Sequence, residues 1–127
     1  GILAQDGFDA AIAEGLMLMT PFNATATDTR TQNFVKAYTE KFGTDTLNQF
    51  AADGYDCIYA IYEACQKNGI TAESKYTDIC DKLIATFTSA DFKIDGLTGT
   101  GMGWTTAGEI SKTPMVVEIV NGAYETK

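Results

Sequence analysis

The chain has 127 residues, 45% of them hydrophobic, and a formal net charge of −8 from 9 basic and 17 acidic side chains. That is room for one domain with a packed core, and it argues against disorder. The acidity, with no basic cluster on any segment, excludes nucleic acid as a partner, because that affinity comes from neutralising phosphates.

The chain opens on Gly1-Ile2-Leu3 without a Met and without a signal-peptide pattern, so it reads as part of a longer polypeptide. No apolar run is long enough to span a membrane. Segment 6–14 predicts a short helix, with Phe8, Ala11 and Ile12 at helical spacing and Gly15 as its stop. Leu16 to Thr20 is an apolar run bounded by Gly15 and Pro21, which predicts a short buried strand. Residues 22–28 read as a polar loop. Thr29 begins a Thr-x-x-Gln capping box ending at Gln32. The helix that follows carries Phe34, Val35, Tyr38 and Phe42 on one face, and Gly43 closes it.

After a polar turn over 43–48, a second helix is predicted from about Gln49 to Lys67. Its main stripe is Tyr55, Ile58, Tyr59, Tyr62 and Cys65, and Cys57, Ile61 and Ala64 cover another side. Apolar on more than one face, it is expected to lie buried between layers. A third helix spans 75–87, with Tyr76, Ile79, Cys80, Leu83 and Phe87 in phase and Ser74 as its cap. Segment 88–112 is rich in Gly, Thr and Asp and reads as turns with short extended pieces. Met115 to Val120 is a strand, and Asn121-Gly122 is a hairpin turn signal. The fold class is α/β, three main helices packed on a small sheet.

The chemistry-bearing residues point away from catalysis. There is no histidine, which removes the commonest general base, the commonest metal ligand and every Ser-His or Cys-His nucleophile. Cys57, Cys65 and Cys80 lack the spacing of a zinc site, so neither metal nor cofactor is expected. Asp53 with Asp56, and Asp78 with Asp81, are i,i+3 pairs that read as solvated helix faces rather than hydrolytic carboxylates. Gly99-Thr100-Gly101-Met102-Gly103 lacks the Lys-Ser/Thr of a phosphate loop and reads as a turn with positive-φ positions.

Cys57 and Cys65 lie roughly 12 Å apart along one helix and cannot bond to each other. If the second and third helices form an antiparallel pair turning near Ile70, Cys65 and Cys80 fall at similar heights and a Cys65–Cys80 disulfide is expected. The alternative is three small hydrophobic thiols in a reducing setting.

An ordered set of strings resembles the branched-chain amino-acid (Leu/Ile/Val) solute-binding proteins of ABC transporters. Glu14-Gly15-Leu16-Met17-Leu18-Met19-Thr20-Pro21-Phe22 is similar to the strand leaving the second lobe of that family. Phe34-x-x-x-Tyr38-x-x-x-Phe42-Gly43 is similar to its next helix. Ala51-Ala52-Asp53-Gly54-Tyr55-Asp56-Cys57 resembles a Gly-Tyr-Asp-Ala helix start, with Cys in place of Ala. Gly96-Leu97-Thr98-Gly99 to Trp104-x-x-x-Gly108-Glu109 resembles its glycine-rich turn, and Val116 to Tyr124 its terminal strand.

The resemblance implies a partial type I periplasmic-binding-protein fold, supplied here as a C-terminal portion. Residues 1–20 and 113–127 would belong to lobe two and residues 22–112 to lobe one, with Pro21 and Thr113-Pro114 as hinge crossings. It implies a small amino-acid ligand, an ABC permease in the membrane as partner, and an extracytoplasmic place, lipid-anchored through an N-terminus outside this chain. A ligand-sensing receptor ectodomain of the same fold, or an interaction domain without ligand, fits the same residues.

For the site, the resemblance places an aromatic wall residue at Tyr55, with Phe50 and Asp53 as neighbours, and matches Gly1 to the glycine following the acid that meets the ligand ammonium. Tyr55 also reads as a core aromatic, and Asp53 as an acid favoured by the helix dipole. A lone third of such a fold leaves uncovered helix faces and strand edges, so self-association or strand exchange is expected.

Overall fold

A computed structural model describes residues 2–113 and 115–127. The chain divides into two units, Gly1–Gln49 with Pro114–Lys127, and Phe50–Thr113.

The first unit begins with a tight turn where the sequence predicts a helix over 6–14. Asp9 accepts from the Ala11 N–H at 3.0 Å and starts a 3₁₀ turn over Ala10–Ala13. Gly15, at φ 77°, ends it. Five residues between a capping aspartate and a left-handed glycine leave room for one turn and little more. Strand β1 (Met17–Thr20) follows, antiparallel to β4 (Met115–Val120), which pairs in turn with β5 (Ala123–Thr126). The order β1-β4-β5 leaves β1 on an edge. The strand is therefore not buried as its apolar run suggests: Met17 and Met19 are exposed and Leu18 is half-buried. Covered on one face only, it alternates.

The β4–β5 turn is the predicted hairpin. Asn121 and Gly122 take φ 51° and 74°, the pair of positive values that a two-residue turn requires. Both oxygens of the Glu14 carboxylate accept from the Asn121 N–H, at 3.1 and 2.9 Å. At the far end of the hairpin Lys127 pairs with Glu118, and that carboxylate raises the lysine's pKa.

Helix α1 (Thr29–Phe42) is capped one residue earlier than the capping box implies. The Asp28 carboxylate accepts from the Thr31 N–H at 2.9 Å, and Gln32 turns to the Ala26 carbonyl instead of closing the box. The backbone N–H of Thr31 holds the Asp28 carboxyl below its ordinary pKa. Phe34 is buried edge-to-face against Phe22, with ring centroids 5.8 Å apart. Val35 and Tyr38 are half-buried and Phe42 is exposed. Gly43, at φ 77°, closes the helix as expected.

The second unit contains α2 (Gln49–Lys67), α3 (Tyr76–Phe87) and a two-stranded ribbon of β2 (Gly103–Trp104) with β3 (Ile110–Ser111). Its core joins Ala60, Ala64, Phe92, Ile94 and Met102, with Leu83, Phe87 and Trp104 packed against them. Phe87 meets Trp104 edge-to-face at 4.8 Å.

Helix α2 runs over the predicted residues but is turned the other way. Its buried positions are Ala52, Asp56, Ala60 and Ala64, spaced by four along one side. Ile58, Tyr59, Ile61 and Tyr62 face outward, against the expectation of burial on several faces. Small side chains inward let the core residues approach the helix backbone closely.

On α3, Thr86 is buried and Ile79, Leu83 and Phe87 are half-buried, while Tyr76 and Cys80 are exposed. Lys75 occupies the N-cap position without a side-chain bond, and Ser74 accepts from the Thr71 N–H instead of capping. In place of the expected Cys65–Cys80 bond, all three cysteines are free thiols. Cys80 follows Ile79 by about 100° of helix rotation, which carries it off the packed side of α3. Among the described residues no helix is long and apolar enough to cross a membrane.

Candidate functional site

The polar groups of the second unit gather where the first turns of α2 meet the turn over residues 96–99. Asp56 is the centre. Its residue is 6% exposed, and its carboxylate accepts three hydrogen bonds. Oδ1 takes the Leu97 N–H at 2.7 Å, and Oδ2 takes the Thr98 N–H at 2.8 Å and the Thr98 hydroxyl at 2.7 Å. A buried carboxylate is costly unless its oxygens are satisfied, and this turn satisfies them. In return, backbone N–H groups that no strand ladder reaches find a charged acceptor.

Gly96 is required for that closeness. A Cβ placed there would overlap the Asp56 carboxylate, and three hydrogen bonds hold that group in place.

One turn earlier on α2, Asp53 forms an ion pair with Lys112 at 3.0 Å. The Lys112 ammonium also donates to the Thr98 hydroxyl at 2.7 Å. Asp53, Lys112, Thr98 and Asp56 thus form one connected chain of polar groups. The expectation that Asp53 and Asp56 make a solvated pair is corrected here: Asp56 is buried, and Asp53 is neutralised by a lysine. Asp78 and Asp81 are exposed, as expected.

The residues singled out for ligand contact are placed as follows. Phe50 is 72% exposed at the start of α2. Tyr55 is half-buried and its ring packs at a tilt against Tyr59, ring centroids 4.5 Å apart. Asp53 stands within the ion pair just described. Gly1 lies outside the described residues. Phe50 and Asp53, three apart, share one side of α2. Tyr55 is about 200° of helix rotation from Asp53 at 3.6 residues per turn, so the helix does not bring the aromatic and the acid onto one face. Asp56, Thr98 and Lys112 were not singled out as site residues. Asp56 and Thr98 fall within strings that carry the resemblance, and Asp56 is also in register with the alanines at 52, 60 and 64, a polar residue in a stripe of small ones.

A family model described as periplasmic binding protein matches residues 4–123. The chain belongs to the periplasmic binding protein family. Solved structures share its fold. An ABC transporter substrate-binding protein from Desulfitobacterium hafniense, in complex with Leu, is 25% identical over 93% of this chain and 33% of its own, with a TM-score of 0.67. A solute-binding protein of an ABC transporter from Rhodopseudomonas palustris, in complex with 3,4-dihydroxybenzoic acid, is 23% identical over 97% of this chain and 31% of its own, at a TM-score of 0.68. A leucine-binding protein from Thermotoga maritima is 22% identical over 91% of this chain and 30% of its own, at a TM-score of 0.60. No curated protein matches the chain. The chain spans about a third of the length of these structures, and the α/β architecture they share with it is that of a partial periplasmic-binding-protein fold.

Proposed function

We propose that this periplasmic binding protein is the extracytoplasmic solute-binding component of an ABC transporter for branched-chain or other small amino acids. The observation that carries the reading is the family match over residues 4–123, joined to the likeness with the substrate-binding protein that holds Leu. The amino-acid zwitterion sets the chemistry. Its carboxylate needs N–H or hydroxyl donors, its ammonium needs a carboxylate, and its side chain needs an apolar wall. On this reading Tyr55 supplies wall, Phe50 and Asp53 border the same end of α2, and Gly1 belongs to the ammonium side. A membrane permease is the partner that receives the ligand, and a lipid anchor keeps the binding protein at the cell surface or in the periplasm. Ligand closure of a hinged molecule is the event that such a partner recognises.

Titration calorimetry with L-leucine, L-isoleucine, L-valine and 3,4-dihydroxybenzoate tests the proposal. Heat from the branched-chain amino acids, with affinity falling about tenfold in Tyr55→Ala, is the expected result. Binding of the benzoate alone would transfer the site to aromatic acids. No binding of any of the four would remove the transport reading.

A further inference from the structure

The chain passes between its two units at residues 49–50 and again at 113–114. Asp53 lies in the first turns of α2, just after one crossing, and Lys112 is the last residue but one before the other. Their side chains meet at 3.0 Å, 35% and 24% exposed. A solitary surface pair of this kind contributes little. This pair differs because Lys112 is held from a second direction by Thr98, a residue 2% exposed.

The direction of each bond in the chain follows from the chemistry of the groups. A lysine ammonium only donates and a carboxylate only accepts. The single hydroxyl hydrogen of Thr98 therefore goes to Asp56, and its oxygen is left to receive Lys112. The lysine stem runs beside Gly99, where a Cβ would stand 3.7 Å from Lys112 Cγ. Thr98 thus links a buried carboxylate, fixed by backbone N–H groups, to the lysine beside the exit of the unit.

We propose that Thr98 and Lys112 are positioning residues of a latch that joins the two crossing ends of the second unit, so that residues around Asp53 and around Lys112 open and close as one body. Opening at either crossing then loosens the other. The latch rests on the geometry of residues 50–113 and needs no ligand, so it stands or falls separately from the transport reading.

Hydrogen exchange followed by mass spectrometry on the whole chain tests it. In Thr98→Val, amides of residues 53–57 and 109–113 are expected to exchange about tenfold faster, in step, while α3 keeps its protection. Thr98→Ser restores the hydroxyl and is expected to restore both segments. Lys112→Met, at a partly exposed position, is expected to accelerate residues 53–57 by about fivefold. It carries the test if Thr98→Val does not fold. Acceleration confined to residues 96–102, acceleration spread equally through α3, no rescue by serine, or no change at residues 53–57 in Lys112→Met would each overturn the latch.

Discussion

Helices α1 and α2 look alike as patterns and are used in opposite ways. Both carry aromatic residues at helical spacing, and both end near a glycine, Gly43 and Gly69, with positive φ. Helix α1 turns a large residue inward, with Phe34 buried against Phe22 and Val35 and Tyr38 half-buried beside it. Helix α2 turns its small residues inward, and Ile58, Tyr59, Ile61 and Tyr62 outward. Periodicity states that a helix has sides. It does not state which side meets the rest of the unit, because that depends on how near the neighbouring backbone must come. Around α2 the neighbour is the turn at residues 96–98, whose N–H groups bond Asp56 directly. Alanines beside that aspartate keep the approach open.

Substitutions on the two helices can break this contrast. The largest effect is expected from Asp56→Ala, which leaves the Leu97 and Thr98 N–H groups buried without their acceptor and costs about 4 kcal/mol. Urea unfolding reads the change. A loss below about 1 kcal/mol would mean that water replaces the carboxylate.

Phe34→Ala on α1 removes a buried ring and should cost about 3 kcal/mol, again by urea unfolding. Its inverse on α2, Ala64→Leu, adds volume where none is open and should cost about 2 kcal/mol. Were Ala64→Leu neutral or stabilising, the small-inward account of α2 would fail.

Asp28→Ala removes the α1 cap and should lower stability by about 1 kcal/mol at neutral pH. The sign with pH follows from the lowered Asp28 pKa. The folded state holds the proton less tightly than the unfolded chain, so the contribution is present above about pH 4 and fades as pH falls through the folded value. Wild type and Asp28→Ala should therefore converge in acid, and thermal unfolding from pH 7 down to pH 2 would show it.

The smallest effect on unfolding belongs to the outward side of α2. Ile58→Ser with Tyr62→Ser should change stability by less than about 0.5 kcal/mol. Wild type is expected to self-associate through this exposed apolar surface, and the same pair of substitutions is expected to weaken that association. Sedimentation velocity that finds wild type monomeric at every concentration would sharpen the contrast the other way, with the outward face inert.

Much of the layout is legible in the sequence. The bounds of α2, the stop at Gly43 and the Asn121-Gly122 turn were all read from local signals. The helix predicted over 6–14 is shortened to a 3₁₀ turn at Ala10–Ala13 because Asp9, inside the predicted span, caps it and delays its start. The edge position of β1 was hidden because a run such as Leu16 to Met19 looks the same whether one face is covered or two. At the candidate site, Tyr55, Asp53 and Phe50 could be named from the resemblance, but Lys112 could not, since it stands 59 residues from the acid it pairs with.

The sequence by itself determined the extent of α2, the stop of α1 at Gly43 and the turn at Asn121-Gly122, because glycines and turn pairs act over a few residues. It also determined the family, because an ordered set of short strings survives without any tertiary knowledge. Only the tertiary structure decided which side of α2 is inward, that the carboxylate of Asp56 is buried, and that Thr98 and Lys112 belong to one polar chain with Asp53. Those outcomes depend on groups distant in sequence satisfying one another's hydrogen bonds in a space from which water is excluded, and no local pattern records which distant group arrives.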